Sequence, residues 1–354
     1  MKNIKYTAML IVFICTFFLF SCENISDKAL TNYYDENGLR YWSNNDGTCD
    51  VSQGTCADSH IIIPDFSPKG EKVIEVRGFE RCKAMKSITL PNTIEFIAGG
   101  AFYDNKELES IVTPKSVKEI GHSVLYSCDM LKSITVEEGN EFYYSSNNCL
   151  IEKSTKRLLA GCGECVIPSD GSVETIEQYA FAGNRLLTKL EIPDSVTAIN
   201  YGAFEHCINL ENITFPQNLK ILGARSFFDC SKLTEISIPD GITEIGYMTF
   251  CHCKKMNSVT LPESLTLIDA KAFSFCQSLT TVSIPANVVA IGRSAFANCN
   301  FYNMEFASPG QWDGVYKNEM NGKTEKTTTV DVSDSINNVS IFCNEYKDYE
   351  WRKK

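Results

Sequence analysis

The stretch from Leu233 to Met256 reads LTEISIPDGITEIGYMTFCHCKKM and contains one complete unit of the pattern that decides the fold. In its first part, Ile236 and Ile238 alternate with polar residues, which is the periodicity of a β-strand with one buried face. Pro239 then ends the strand, because proline lacks the N–H that a sheet ladder needs. The unit therefore begins with a short strand.

The second part of the unit turns the chain and brings it back. Ile245 and Gly246 turn the chain, and Phe250, Cys253 and Met256 then recur at every third position. That spacing predicts a short helical turn with one buried edge. One coil is thus a strand, a turn and a short helix, and it buries its apolar edge only when neighbouring coils stack on it.

The unit repeats with a period of 23 residues. A phenylalanine marks most coils, at Phe79, Phe102, Phe181, Phe204, Phe227, Phe250, Phe273 and Phe296. Leu125 takes this position after Phe102, and the step of 56 residues from Leu125 to Phe181 predicts an insertion of 33 residues. Three residues after the phenylalanine lies a column of Cys82, Cys128, Cys207, Cys230, Cys253, Cys276 and Cys299, with Asn105 and Asn184 in two coils. A proline column comprises Pro91, Pro114, Pro193, Pro216, Pro239, Pro262 and Pro285.

Residues 187–207 carry a family resemblance. They read LTKLEIPDSVTAINYGAFEHC, which resembles the BspA-like leucine-rich repeat of bacterial surface proteins, and the match extends over about 73–299. The resemblance implies an α/β repeat: a right-handed leucine-rich-repeat solenoid with 23-residue coils, whose parallel sheet lines the concave face. It also implies that the insertion, at about 137–169, is a β-hairpin.

Caps are expected at both ends, because the terminal coils of a solenoid expose their core. Residues 39–72 are predicted to form an N-terminal β cap and residues 300–354 a C-terminal cap. Antiparallel cap strands are expected at 39–42, 48–51, 61–63, 327–332 and 339–342.

The first 21 residues have the features of a targeting segment. Lys2 and Lys5 precede an apolar run that is too short for a comfortable membrane span. The run ends in LFSC at residues 19–22, which resembles the lipobox of bacterial lipoproteins and implies cleavage before Cys22 and lipidation of Cys22. A plain secretory signal is the alternative. The resemblance implies an outer-membrane, surface-exposed lipoprotein with residues 22–38 as its tether, and the acidic stretch 23–27 resembles a surface-export signal.

Sixteen cysteines in an exported chain raise the question of disulfides. The seven in the periodic column are expected to be buried, reduced thiols whose side chains point inward in parallel. Cys49 and Cys56 lie outside that column in the predicted cap and are the candidate disulfide. Cys149, Cys162 and Cys165 cluster around the insertion, where a local disulfide or a metal or redox site are the alternatives.

Enzyme motifs are missing from the sequence: it contains no G-x-S-x-G, no phosphate-binding glycine loop and no H-E-x-x-H. We therefore predict a non-enzyme without cofactors or metal. One row, His206, Asp229 and His252 on successive coils, raises zinc as an alternative to a solvent-exposed row. The net charge of −11, or −13 without Lys2 and Lys5, disfavours binding of nucleic acid or an anionic membrane surface.

The outward positions of the predicted concave sheet are small, polar and mostly uncharged. The candidate partner-binding residues in this row are Thr89, Thr135, Glu191, Thr214, Ser237, Thr260 and Ser283. Val112 lies in the same row, and no aromatic side chain does, which disfavours sugar binding by ring stacking there. Alternatively, Ser and Thr are simply good solvent-side strand residues.

The leading hypothesis is a lipid-anchored, extracellular protein-interaction or adhesion solenoid that binds a protein or glycan on a host or bacterial surface. It is non-catalytic and contacts the membrane only through its lipid. The first alternative is a carbohydrate-capture accessory lipoprotein, which depends on exposed aromatic residues on the hairpin, where Phe142, Tyr143 and Tyr144 lie. A hydrolase or metal-dependent enzyme is the second, and no motif supports it.

Overall fold

The computed structural model of the chain describes residues 32–163, 165–308, 310–317, 324–333, 338–345 and 348–354. Over these residues the chain is a β-solenoid of about eleven turns, with coils of about 23 residues and almost no helix. A typical coil gives one strand to a front sheet and one to a back sheet, and then closes through tight turns. The predicted signal peptide 1–21, the lipidation site Cys22 and most of the tether lie outside the described residues.

Three antiparallel strands cover the start of the solenoid. They are β1 (Asn32–Tyr34), β2 (Arg40–Ser43) and β3 (Thr48–Ser52). Residues 61–63, expected as a further antiparallel strand, overlap β4 (His60–Ile62), which instead pairs in parallel with the following coil. That expectation is wrong because the repeat begins earlier than the phenylalanine column indicates.

The front sheet contains the strands that precede the proline column. They are β4, β6 (Ser87–Thr89), β8 (Ser110–Thr113), β10 (Ser133–Val136), β15 (Lys189–Glu191), β17 (Asn212–Thr214), β19 (Glu235–Ser237), β21 (Ser258–Thr260), β23 (Thr281–Ile284) and β25 (Asn303–Phe306). The paired strands are parallel and their partners lie about one repeat apart, as in Ser110 with Ser133. The eight phenylalanines and Leu125 predict about nine coils over 79–299. Strands β4 and β25 lie outside those coils, which is why the solenoid has more turns.

The back sheet is built from shorter strands. They are β5 (Lys72–Val76), β7 (Phe96–Ile97), β9 (Glu119–Ile120), β14 (Thr175–Ile176), β16 (Ala198–Ile199), β18 (Ile221–Leu222), β20 (Glu244–Ile245), β22 (Leu267–Ile268) and β24 (Ala290–Ile291). These strands also pair in parallel from coil to coil, and the pairing is interrupted at the insertion and between β18 and β20. Strand β3 joins this sheet at its N-terminal end by pairing with β5.

Each coil closes through consecutive tight turns where the sequence predicts a short helix, so the α/β assignment is wrong. Met248 and His252 have φ values of 55° and 66°, and an α-helix cannot continue through positive φ. The Cys253 N–H donates to the Phe250 carbonyl at 3.2 Å, whereas the Phe250 N–H donates to Ala272 of the next coil at 2.8 Å. Turns that repeat every third residue therefore produce the same apolar spacing as a helix.

The phenylalanine column fills the core, as predicted. From Phe181 to Phe296 the six rings stack with neighbouring centroids 4.9–5.6 Å apart and planes within 4–15° of parallel. Every ring is at most 1% exposed. These separations are close to the strand spacing of about 4.8 Å, so each ring contacts the rings above and below it.

The insertion is a hairpin and one further strand in the back sheet. Its strands are β11 (Tyr143–Ser146), β12 (Cys149–Glu152) and β13 (Arg157–Gly161). Strand β13 pairs in parallel with β14, so the insertion continues the solenoid. It also separates two hydrophobic cores: Leu150 packs with the N-terminal coils, whereas Ile151 packs with the C-terminal coils. We call the coils before the insertion, residues 32–136, the N-terminal block, and those after it, residues 165–308, the C-terminal block.

The C-terminal end is covered by three antiparallel strands and a π-helical turn. These are β26 (Gln311–Lys317), β27 (Thr324–Asp331), β28 (Glu350–Lys353) and the turn Ser340–Glu345. Strand β28 pairs with both β24 and β26, which attaches the cap to the back sheet. The strand predicted at 327–332 overlaps β27, whereas the one predicted at 339–342 is wrong because those residues lie largely in the π-helical turn.

Candidate partner-binding face

The front sheet presents one row of side chains to solvent. In β19 the buried Ile236 lies between the exposed Glu235 and Ser237, as the strand pleat requires. The candidate partner-binding residues are all exposed in this way: Thr89, Thr135, Glu191, Thr214, Ser237, Thr260 and Ser283. The strand registers align neighbouring members, for example Glu191 beside Thr214. Whether they bind a partner stays a prediction.

The row changes character at the hairpin. Before it, Ile62 and Val112 are 71% and 46% exposed, and Val166, in the first segment after the hairpin, is 62% exposed. Beyond Val166 the row consists of hydroxyls and carboxylates. The sequence pattern missed Ile62 and Val166, because one precedes the phenylalanine column and the insertion shifts the phase of the other.

A shallow groove of about 600 Å³ lies on the front sheet of the C-terminal block, across β17, β19 and β21. We call it the front groove. Its polar lining residues are Asn212, Thr214, Gln217, Glu235, Ser237, Asp240, Ser258, Thr260 and Glu263. Three of the predicted row residues therefore share one concavity.

The charge of the front groove is uncompensated. Among the described residues, none of its carboxylates, Glu235, Asp240 and Glu263, lies within 4.0 Å of a cationic side chain nitrogen. Its lining contains no lysine or arginine. The groove thus offers hydroxyls, amides and free carboxylates to a ligand.

A smaller depression of about 390 Å³ continues the front groove toward the hairpin. Asn212 and Thr214 line both, and Val166, Lys189 and Glu191 complete its wall. Cys165 and Leu190 also line it, so it combines apolar side chains with one cation and one anion. The front surface is therefore graded from apolar at the hairpin to acidic in the C-terminal block.

The column cysteines have a role that the sequence did not reveal. The thiol of Cys230 donates to the Phe204 carbonyl at 3.2 Å, and other column cysteines reach the phenylalanine of the preceding coil in the same way. Asn105 serves the same purpose, because its amide donates to the Phe79 and Phe102 carbonyls at 2.8 and 2.9 Å. The column therefore requires a small hydrogen-bond donor, and the alternation of Cys and Asn was the available signal.

The fourteen cysteines among the described residues are free thiols, and burial raises the pKa of Cys128, Cys207 and Cys230 in the column. In the N-terminal cap, Cys49 Sγ lies 3.8 Å from the Glu71 carbonyl, and Cys56 Sγ lies 3.8 Å from a carboxylate oxygen of Asp58. A disulfide between Cys49 and Cys56 stays a prediction.

The hairpin exposes one of its three aromatic candidates. Phe142 is 44% exposed, whereas Tyr143 is 3% exposed and its hydroxyl accepts a hydrogen bond from Ile120 N at 3.0 Å. Tyr144 is half-buried and packs against the core of the C-terminal block. A sugar-stacking surface on the hairpin therefore rests on Phe142.

In the row of His206, Asp229 and His252, the first two side chains are in contact and the third packs against a phenylalanine ring. His206 Nδ1 lies 3.2 Å from Asp229 Oδ2, and the ring of His252 stacks on Phe275 with centroids 4.4 Å apart. Burial lowers the pKa of His252. In the part of the chain that the structure describes, no three His, Cys, Asp or Glu side chains are grouped to hold a metal ion.

The described residues contain no helix long and apolar enough to cross a membrane. The chain has no significant match among curated proteins.

Several solved structures are similar to this chain. A leucine-rich cell surface protein from Faecalibacterium prausnitzii is 21% identical, with a TM-score of 0.53 over 80% of this chain and 96% of that chain. A leucine-rich repeat protein from Eubacterium ventriosum is 21% identical, with a TM-score of 0.47 over 77% of this chain and 96% of that one. One from Bacteroides ovatus is 20% identical, with a TM-score of 0.40 over 81% and 89%. The first of these similarities supports the solenoid fold.

A family model described as BspA type leucine rich repeat region, in six copies, matches residues 56–158 and 167–309. These ranges include the front strands, the back strands and the turns that the 23-residue period defines. Because the model matches more than half of the chain, the chain belongs to the BspA-type leucine-rich repeat family.

Proposed function

We propose that this chain is a non-catalytic interaction protein of the cell surface, which binds a protein partner of a host or bacterial surface through the front groove. Family membership supports a protein-interaction role. The observation that carries the proposal is the concave, solvent-facing array in which Glu235, Asp240 and Glu263 stand without cationic neighbours among the described residues. A lysine- or arginine-bearing segment of a partner would supply the missing charges.

The proposal includes a lipid anchor. Cleavage before Cys22 would leave a lipidated cysteine followed by the tether 22–38, and we propose that the solenoid is held in this way at the outer face of an outer membrane. Lipid chains contribute about 0.8 kcal/mol per buried CH2, so lipid on both the thiol and the amine of Cys22 would give stable attachment. Labelled palmitate should enter the full-length protein in a Gram-negative host, and Cys22→Ser should abolish the labelling. Persistent labelling of that variant would refute Cys22 as the acylated residue.

Binding is tested by capture of defined surface proteins and matrix proteins on the purified protein. The double variant Glu235→Gln and Glu263→Gln should weaken capture about tenfold or more, since charge pairs at an interface set both association rate and specificity. Glu119→Gln is the matched control, because Glu119 is an exposed carboxylate on the back sheet. Equal binding by both variants would exclude the front groove.

The second candidate function is capture of carbohydrate, which the exposure of Phe142 favours. A glycan array separates the two functions. Glycan binding that is lost in Phe142→Ala and kept in the double carboxylate variant would favour carbohydrate capture. The reverse result would favour the protein partner.

A further inference from the structure

Three cysteines surround the base of the hairpin, away from the periodic column. Cys149 begins β12, Cys162 follows β13, and Cys165 begins the segment that returns to the front sheet. All three are buried, at 0%, 0% and 7% exposure. Unlike the column cysteines, these three do not donate to phenylalanine carbonyls in the described hydrogen bonds, so their thiols are available for another role.

The three thiols are divided between the two hydrophobic cores. Cys149 and Cys165 belong to the core of the C-terminal block. Cys162 belongs to the core of the N-terminal block, with Leu150 and Ala160. Of the three possible pairs, only Cys149 with Cys165 lies within one core.

The backbone also brings this pair together. Val166 N donates to the Asn147 carbonyl at 3.3 Å, so the segments on which the two cysteines lie run side by side. Cys149 Sγ lies 3.8 Å from the carbonyl oxygen of Val166, the residue that follows Cys165. Gly163, with a φ of 40°, turns the chain between Cys162 and Cys165.

We infer that Cys149 and Cys165 form a disulfide when the chain folds in an oxidising compartment, while Cys162 remains a thiol. The two thiols lose two protons and two electrons to a disulfide oxidant such as oxidised glutathione, which is reduced to two thiols. One cysteine thiolate attacks oxidised glutathione, breaks its S–S bond and forms a mixed disulfide as the first glutathione thiolate leaves. The second cysteine thiolate then attacks the sulfur of the first cysteine and releases the second glutathione thiolate.

The environment of Cys149 in the folded protein indicates when the disulfide forms. The hydrogen bond to Cys165 and burial raise the pKa of Cys149, so little thiolate exists once the hairpin has packed. The bond therefore forms during folding, before the base of the hairpin is buried. The crosslink would attach the hairpin to Val166, which lines the smaller front depression, and would hold that wall in place.

The test is refolding of the reduced full chain in a buffer of reduced and oxidised glutathione. Free thiols are then alkylated, and the digested, unreduced protein is mapped by mass spectrometry. We expect the peptides that contain Cys149 and Cys165 to be crosslinked in most molecules and Cys162 to be alkylated. Alkylated Cys149 and Cys165 in most molecules, or a crosslink through Cys162, would overturn the inference.

Two variants sharpen the result. Cys162→Ser should keep the crosslink, and Cys165→Ser should lose it and leave Cys149 and Cys162 alkylated. A reducing agent should lower the denaturation midpoint of the wild type and of Cys162→Ser, but not that of Cys165→Ser. Loss of the crosslink in folded Cys162→Ser would count against the pairing. If Cys165→Ser does not fold, the wild-type map still decides.

Discussion

The two blocks of the solenoid share one backbone repeat but differ in core and surface. In the N-terminal block, Phe79 and Phe102 are 6.3 Å apart and tilted by 41°, and Leu125 follows them, whereas the C-terminal block has an unbroken stack of six rings. Several carboxylates of the N-terminal block are held in ion pairs, as in Lys72–Glu95–Lys118. Those of the front groove have no such partners among the described residues.

The difference shows that stability and recognition are separated in this fold. Inward columns must repeat, because a stacked ring such as Phe250 contacts its equivalent one coil away and a column thiol such as that of Cys253 donates to the phenylalanine carbonyl of the preceding coil. Outward positions contact solvent and are free to change between blocks. The hairpin, with one face toward each core, allows the blocks to differ without a mismatch in packing.

The largest expected difference concerns the phenylalanine column. Phe250→Ala should cost about 3–5 kcal/mol, because it removes a fully buried ring from the middle of a stack. Phe102→Ala should lie near the lower end of that range, since its ring has one aromatic neighbour among the described residues, which is tilted. Denaturant midpoints measure both. An unchanged midpoint for Phe250→Ala would contradict the assignment of the column.

The junction between the blocks should be nearly as sensitive. A Cβ at Gly161 would lie 2.1 Å from the ring of Phe181, so Gly161→Ala should cost about 3 kcal/mol through overpacking. Gly310→Ala is the control, because no heavy atom lies within 4 Å of its added Cβ. Equal thermal midpoints for the two variants would show that Gly161 in β13 does not pack tightly against the ring of Phe181.

The donor column offers a comparison between Asn105 and Cys253. Asn105→Ala leaves the Phe79 and Phe102 carbonyls with thiol donors alone and removes the acceptor of the Cys82 N–H, so it should cost about 2 kcal/mol. Cys253→Ala removes a single S–H donor 3.3 Å from the Phe227 carbonyl and should cost less. Asn105→Cys should recover part of the loss, as measured by urea denaturation. No recovery would mean that donation is not what the column selects.

The smallest effects concern pH. Hydrogen bonds from Lys118 and Lys72 lower the pKa of Glu95, so its contribution is present above the ordinary glutamate pKa and is lost as pH falls through the folded value. Glu95→Gln should therefore cost about 0–1 kcal/mol at neutral pH and nothing in acid. Stability measured from pH 7 to 3 tests this, and a constant difference would contradict it.

Asp269 in the C-terminal block should show the opposite dependence. Burial raises its pKa, so its charged form destabilises the fold as pH rises above the ordinary aspartate pKa. Asp269→Asn should raise the denaturation midpoint at pH 7, and the gain should vanish in acid. A lower midpoint at pH 7 would show that the hydrogen bond from Ala270 N outweighs burial.

The sequence predicts the repeat of this solenoid correctly, but not the conformation of its turns. The positions of Phe227 and Cys230 identify the period, the buried column and the insertion, because residues that must contact their own equivalents have to recur at one spacing. The spacing of Phe250, Cys253 and Met256 was interpreted as a helix, since consecutive turns and a short helix bury the same positions. Only the positive φ of Met248 and His252 distinguishes them.

The sequence by itself determined the family, the repeat and the outward row that contains Thr214, Ser237 and Thr260, because alternation along a strand is a local property. Tertiary structure decided which of these side chains share a groove, that Glu235 and Glu263 lack cationic neighbours among the described residues, and which core each hairpin cysteine enters. Those features depend on contacts between coils that lie 23 or more residues apart, and the pattern within one coil does not encode them.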